Sequence, residues 1–149
     1  MKSTLLFFLT ILLFSCKQSE NLKGNLYFKL INLTSPSGLT DEQALNIENI
    51  INSMSSDEKN KGLVDYYKKA IKHDLLKNPY LQLETEDGIK KVYLSFKEYD
   101  KIKHFKLSEL QEKSKKVVVE LNVNEFEKDL FYSEEIILIQ EVDGKTPWQ

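Results

Sequence analysis

Few side chains in this 149-residue chain can support covalent or acid–base chemistry, and their spacing limits what they can do. Cys16 is the only cysteine, and His73 and His104 are the only histidines. His73-Asp74 sets a base beside a carboxylate, but neighbouring helical residues point about 100° apart, so they cannot form an oriented dyad. Near a helix C-terminus, His73 and Lys77 instead suit the helix dipole. His104, between Lys103 and Phe105, reads as a solvated strand residue. A zinc centre needs three or four His, Cys or carboxylate ligands at close spacing, which the sequence lacks. Glu84, Glu86 and Asp87 gather three carboxylates at a turn that could attract calcium, without the acidic spacing of a dedicated calcium loop. The five glycines are too dispersed to cradle a phosphate, and no Gly-x-Ser-x-Gly elbow occurs. No metal or cofactor is expected, and the balance leans away from catalysis. Tyr66, Tyr67, Tyr93, Tyr99, Phe105, Tyr132 and Trp148 offer either a platform for a sugar or partner protein, or ordinary core.

Cys16 gains its meaning from what precedes it. Met1-Lys2-Ser3-Thr4 leads into the apolar run Leu5 to Phe14, which ends in Leu13-Phe14-Ser15-Cys16. Ten helical residues cover about 15 Å, half of a hydrocarbon core roughly 30 Å thick, so the run is a secretory leader and not a permanent span. Leu13-Phe14-Ser15-Cys16 resembles the lipobox of bacterial lipoproteins, over Met1 to about Lys17. The resemblance implies cleavage between Ser15 and Cys16, a diacylglycerol on the Cys16 sulfur, and an acylated new N-terminus. Phe14 is bulkier than the usual residue there. Lipidation would consume a thiol that has no disulfide partner in an oxidising compartment. Lys17 stands where some relatives carry an inner-membrane retention Asp, so the resemblance implies the outer membrane, with the exposed face left open.

Composition narrows the partners. Basic and acidic residues number 21 and 23, arginine is absent, and removing the leader with Lys2 makes the net charge one unit more negative. A mixed, near-balanced surface argues against nucleic acid. Without a guanidinium fork, bidentate recognition of phosphate or carboxylate is excluded, although lysine can still act as a point charge.

The elements that must position these residues follow from periodicity. Residues 16–23 read as a lipidated tether and 24–149 as one domain. Gly24 to Leu33 alternates as a strand, with Leu26, Phe28 and Leu30 on one side. Thr40-Asp41-Glu42-Gln43 is a capping box, with Leu39 set to staple onto Ala44. It opens a helix with Ala44, Ile47, Ile50, Ile51 and Met54 on one face. Ser55-Ser56-Asp57-Glu58 offers a second box, for a helix with Leu63, Tyr67, Ala70, Ile71 and Leu75 inward that ends at Asn78-Pro79. Residues 80–96 read as a β-hairpin around a type I′ Asp87-Gly88 turn, pairing Leu83 with Val92, Leu81 with Leu94, Gln82 with Tyr93 and Glu84 with Lys91. Residues 96–107 alternate weakly as a further strand, Ser108 caps a short helix, and Lys116 to Val123 and Glu135 to Val142 read as strands. Asn124 to Tyr132 is ambiguous.

The expected fold is α+β: an antiparallel sheet including the 80–96 hairpin, with a helical hairpin at about 40–77 packed on one face. The expected function is an envelope lipoprotein held to the membrane through Cys16, with a noncatalytic domain binding an envelope protein or small ligand. Two alternatives stay open. One is an envelope hydrolase using carboxylates brought together by folding; the other is an inhibitor or immunity-like protein.

Overall fold

The computed structural model describes residues 19–28, 34–54 and 59–145. The leader, Ser15, Cys16, the second capping box and Trp148 lie outside these residues. The fold is α+β, with five mostly antiparallel strands closed into a barrel. They are β1 (Glu20–Leu26), β2 (Tyr80–Thr85), β3 (Gly88–Leu94), β4 (Lys115–Glu127) and β5 (Leu130–Asp143). The order around the barrel is β1-β2-β3-β5-β4, and β4 returns to β1 over Glu20↔Val123 to Asn25↔Val118. Between β3 and β5 the pairing is parallel, through Val92↔Phe131, Tyr93↔Tyr132 and Leu94↔Ser133. This is a five-stranded barrel with a crossover, an architecture class that includes the OB-fold, and architecture by itself assigns no ligand.

Alternation fills the barrel. Val117, Val119, Leu121 and Val123 of β4 point inward with Leu81, Leu83, Val92 and Leu94. Phe131 and Ile136 of β5 join them across bulges at Glu120/Leu121 and Asn122/Val123. The ambiguous stretch at 124–132 is thus the β4–β5 hairpin, turning at Lys128-Asp129 with Asp129 at a φ of 65°. Strand β1 begins at Glu20, so Glu20 to Lys23 belong to the sheet and the tether is shorter than the composition suggests. Polar residues on a barrel's outer side look like linker until their ladder partners are known.

The two-residue turn of the 80–96 hairpin is Glu86-Asp87, not Asp87-Gly88. A type I′ turn needs positive φ at both central residues, but only Gly88 has it, at 103°. The register therefore shifts by two: Leu81 faces Val92, Gln82 faces Lys91, Leu83 faces Lys90 and Tyr80 faces Tyr93. An even shift preserves which side each residue occupies, so the apolar set still points inward. On the other side Tyr80 and Tyr93 are buried under the helices, while Glu84 stays exposed.

Helices α1 (Asp41–Ser53) and α2 (Lys61–Lys72) lie between β1 and β2. The α1 capping box forms as expected: Gln43 N–H donates to Thr40 Oγ1 at 3.3 Å, and Thr40 N–H to Gln43 Oε1 at 3.0 Å. Ile51, Val64, Tyr67 and Ala70 bury against Tyr80, Tyr93 and Leu130 on the barrel's outer wall, with Leu39 and Ala44 at the margin. Ile50 and Leu63, both expected inward, are exposed, because the contact stripe on each helix is narrower than its apolar arc. Helix α2 stops at Lys72, short of Asn78-Pro79, where Asp74 takes a φ of 52°.

Residues 95–114 cross the barrel end as two short helices, α3 (Phe96–Tyr99) and α4 (Leu107–Glu112), and not as a strand. The weak alternation there reflects one buried residue per turn, Ile102 and Leu110 entering the barrel core. Ser95, not foreseen, caps α3 by accepting from Glu98 N–H, while Ser108 lies inside α4 and Lys106 occupies its cap position. Buried Glu98 ties this crossover to β5: its Oε2 accepts from Ile136 N–H at 2.7 Å and from Lys101 Nζ at 2.6 Å. Without that oxygen the Ile136 amide would be buried unpartnered, costing about 1–3 kcal/mol.

Gly24 marks where β1 crosses closest to β2: a Cβ there would lie 2.5 Å from the Glu84 carbonyl oxygen. Gly24→Ala is expected to lower unfolding stability by about 1–3 kcal/mol in denaturant titration. Gly62→Ala in α2 meets nothing within 4 Å and should raise it by about 0.5–1 kcal/mol. Equal effects of the two would contradict this packing.

Candidate functional site

The residues singled out by type separate into unrelated places. His73 caps the end of α2, and its carboxylate partner is Glu127 of β4, 2.9 Å away, not Asp74. The same Glu127 oxygen accepts from Lys72 at 2.7 Å, and these two partners, Lys72 first, hold the carboxyl below its usual range. Phe126 lies against the His73 ring at 5.2 Å. This cluster fastens α2 to the barrel. Asp74 is exposed and shares Lys77 with Asp41, at 3.8 and 3.1 Å. Two exposed carboxylates around one lysine lack the contrast in environment that separates an acid from a base. His104 is exposed in a turn, not a strand, and rests on Phe105 at 4.1 Å. Glu84, Glu86 and Asp87 stand on the exposed hairpin tip. Among the described residues no group of three or more His, Cys, Asp or Glu could hold a metal ion.

The aromatic residues gather in two built environments that share Tyr80. At the barrel end where β1 and β3 finish, a cavity of about 230 Å³ opens. Its walls include Tyr27, Phe28, Leu81, Tyr99, Ile102 and Phe105, with Gln82 and Lys103 as polar members. The α3–α4 crossover supplies Tyr99 to Phe105, while β1 and β2 supply the rest. None of the lining residues is a carboxylate or a cysteine. Burial raises the Tyr99 phenol above its ordinary value, keeping it neutral at the wall. Barrel mouths are a common place for ligand sites, and this one would take a few carbon atoms in apolar contact.

The second environment surrounds Lys91, which the sequence did not single out. Lys91 and Tyr93 share the outer side of β3 because they lie two apart, and Tyr80 faces Tyr93 across the ladder. Tyr66 and Tyr67 come down from α2, edge to face at 5.5 Å. The Lys91 Nζ therefore sits 4.0, 4.9, 5.4 and 5.5 Å from the centroids of Tyr80, Tyr93, Tyr67 and Tyr66. Among the described residues its one hydrogen bond goes to the buried Thr34 hydroxyl at 3.2 Å. No carboxylate pairs with it among the described residues, and desolvation pulls its pKa down to about 7. The buried Tyr66 and Tyr93 hydroxyls interact with each other without a well-formed hydrogen bond to any described group, and burial pushes both above the ordinary phenol range. The doublet Tyr66-Tyr67 was visible in the sequence. Its meeting with Lys91 was not, because it depends on α2 lying over β3.

Tyr132 belongs to neither place and stacks on Phe126 at 5.7 Å. No family model matches this chain, and no curated protein or solved structure matches it.

The Lys91 enclosure imposes a pH dependence with a definite sign. Between about 7 and the unfolded value of 10.5 the unfolded chain binds a proton that the folded chain does not, so stability rises with pH across this window. Above about 10 the unfolded chain ionises tyrosines that the fold keeps neutral, and stability falls again. Thermal unfolding from pH 6 to 11 should show a midpoint that climbs above neutrality and peaks on the alkaline side, the Lys91 contribution amounting to a few kcal/mol. Lys91→Met should flatten the climb and be more stable than the parent at pH 7. A parent profile already flat from pH 7 to 10 would show that the amine is solvated.

Proposed function

We propose that this chain is an envelope lipoprotein, anchored at the outer membrane through acyl chains on Cys16, whose barrel is a noncatalytic binding module. The observation that carries the binding reading is the aromatic cavity at the barrel mouth, built from four separate segments and lined without carboxylate or cysteine. Its size fits an apolar side chain of an envelope protein or a small aromatic ligand. Strand geometry also supports an orientation. Only three residues separate Cys16 from Glu20, a reach of at most about 14 Å, so the start of β1 lies near the bilayer. Strand β1 then runs for seven residues, about 23 Å, and ends at the cavity, so the mouth and the proposed anchor stand at opposite ends of this strand. Among the described residues no helix is long and apolar enough to cross a membrane. Two or three acyl chains, with each buried methylene contributing about 0.8 kcal/mol, would hold it permanently.

Two measurements check this reading. NMR titration of the full chain with indole should perturb Phe28, Leu81 and Ile102 together, and Tyr99→Ala should weaken the binding at least tenfold, about 1.4 kcal/mol. Perturbations scattered over the surface would remove the basis for a binding mouth. Growth with radiolabelled palmitate should label the parent, while Cys16→Ala should carry no label and leave the membrane fraction. A labelled Cys16→Ala protein would overturn the anchor.

A further inference from the structure

We propose that Lys91 is a nucleophilic amine that captures small, uncharged aldehydes or ketones as an imine within its enclosure of tyrosine rings. The position is unlike that of an ordinary structural lysine. Lysines that stabilise folds extend their ammonium to water or to a carboxylate, as Lys101 does with Glu98 at 2.6 Å and Lys115 with Asp143 at 2.5 Å. Lys91 does neither. Its nitrogen is directed among four rings and donates to Thr34 Oγ1, which leaves the nitrogen lone pair uncommitted when the amine is neutral. Desolvation supplies that neutral form near pH 7, the condition under which lysine becomes a nucleophile.

The groups facing Lys91 come from every element packed around it. Helix α2 contributes Tyr66 and Tyr67, β2 contributes Tyr80, β3 contributes Tyr93, and the segment before α1 contributes Thr34. All are uncharged at neutral pH. A carboxylate on the incoming molecule would gain from a protonated lysine but lose its hydration against ring faces, whereas a neutral carbonyl compound loses little. Lys91 itself retains partial exposure, so the enclosure is not sealed.

The reaction balances without a further reagent. The Nζ lone pair forms a bond to the carbonyl carbon as the C=O π bond breaks, and an N–H proton passes to the oxygen to give a carbinolamine. The second N–H proton then leaves with that hydroxyl as water, producing the neutral imine. Water reverses the sequence.

The test is competitive labelling of the full chain with acetaldehyde and cyanoborohydride, which reduces the imine to a stable secondary amine, followed by peptide mass spectrometry. At pH 7 an ordinary lysine is neutral in fewer than about one molecule in a thousand, whereas Lys91 is about half neutral. Lys91 should therefore be labelled roughly ten- to a hundredfold faster than Lys97 or its neighbour Lys90, which lies 4.0 Å from Asp129. Its rate should level off above about pH 7, while theirs keeps climbing. Lys91→Met should lose the fast phase and leave the slow labelling of the other lysines unchanged. Labelling of Lys91 no faster than Lys97, or rising with pH in parallel with it, would overturn the proposal. Neither outcome bears on the cavity, whose binding is read separately with indole.

Discussion

Closure of the sheet by the short parallel ladder between β3 and β5 is the constraint on which the remaining architecture depends. The hairpins β2–β3 and β4–β5 are local and each has its own long ladder, but neither makes an interior alone. Once Val92, Tyr93 and Leu94 lie beside Phe131, Tyr132 and Ser133, edges that would otherwise stay open are joined, and the apolar sides of all five strands enclose one core. Because a parallel pair cannot be joined by a tight turn, the chain must travel between β3 and β5. It does so through α3, α4 and β4. That crossover seals one end with Ile102 and Leu110, and the same segment supplies Tyr99 and Phe105 to the cavity. The ladder also sets the outer wall, bringing Tyr93 beside the Leu130–Tyr132 stretch and giving α2 a continuous surface to cover.

Two buried ionisable groups show how differently the molecule treats charge. Desolvation raises the Glu98 pKa, yet hydrogen bonds from Lys101 and the Ile136 amide outweigh it, and the carboxyl stays below its usual range. A group satisfied in this way fastens structure. Lys91 receives the desolvation without that compensation, since among the described residues its hydrogen bond goes only to the Thr34 hydroxyl. Ring faces attract an ammonium by about 0.5–2 kcal/mol each in favourable geometry, which moderates the cost of burial. Folds rarely keep such an amine for packing, because a methionine of similar length would fill the space without the desolvation. The contrast separates Glu98, a fastener, from Lys91, a resource.

Legibility in the sequence followed the range of the interactions. The α1 capping box was readable because both of its hydrogen bonds lie within four residues. The sides of β2 and β3 were readable because alternation is local, but their register was not, since the choice between Glu86-Asp87 and Asp87-Gly88 turns on a single backbone angle at Gly88. Leu63 and Ile50 were misplaced because apolarity marks a candidate stripe, while the barrel's curvature decides how much of it makes contact. The seven aromatics read as one platform. Folding divides them among the cavity, the lysine enclosure and a stack on Phe126, with Trp148 outside the described residues.

The sequence by itself determined the α+β class, the existence of both helices and the hairpin, and the inward sides of the hairpin and of β4, all consequences of periodicity and capping over a few residues. It also carried the lipobox-like N-terminus, whose reading depends on contiguous residues and needs no fold. Only the tertiary structure decided barrel closure, the covering of Tyr80 and Tyr93 by the helices, the true partner of His73 and the distance of Lys91 from every described carboxylate. Each of these is a contact between segments tens of residues apart, selected by how curved surfaces pack after the local elements exist.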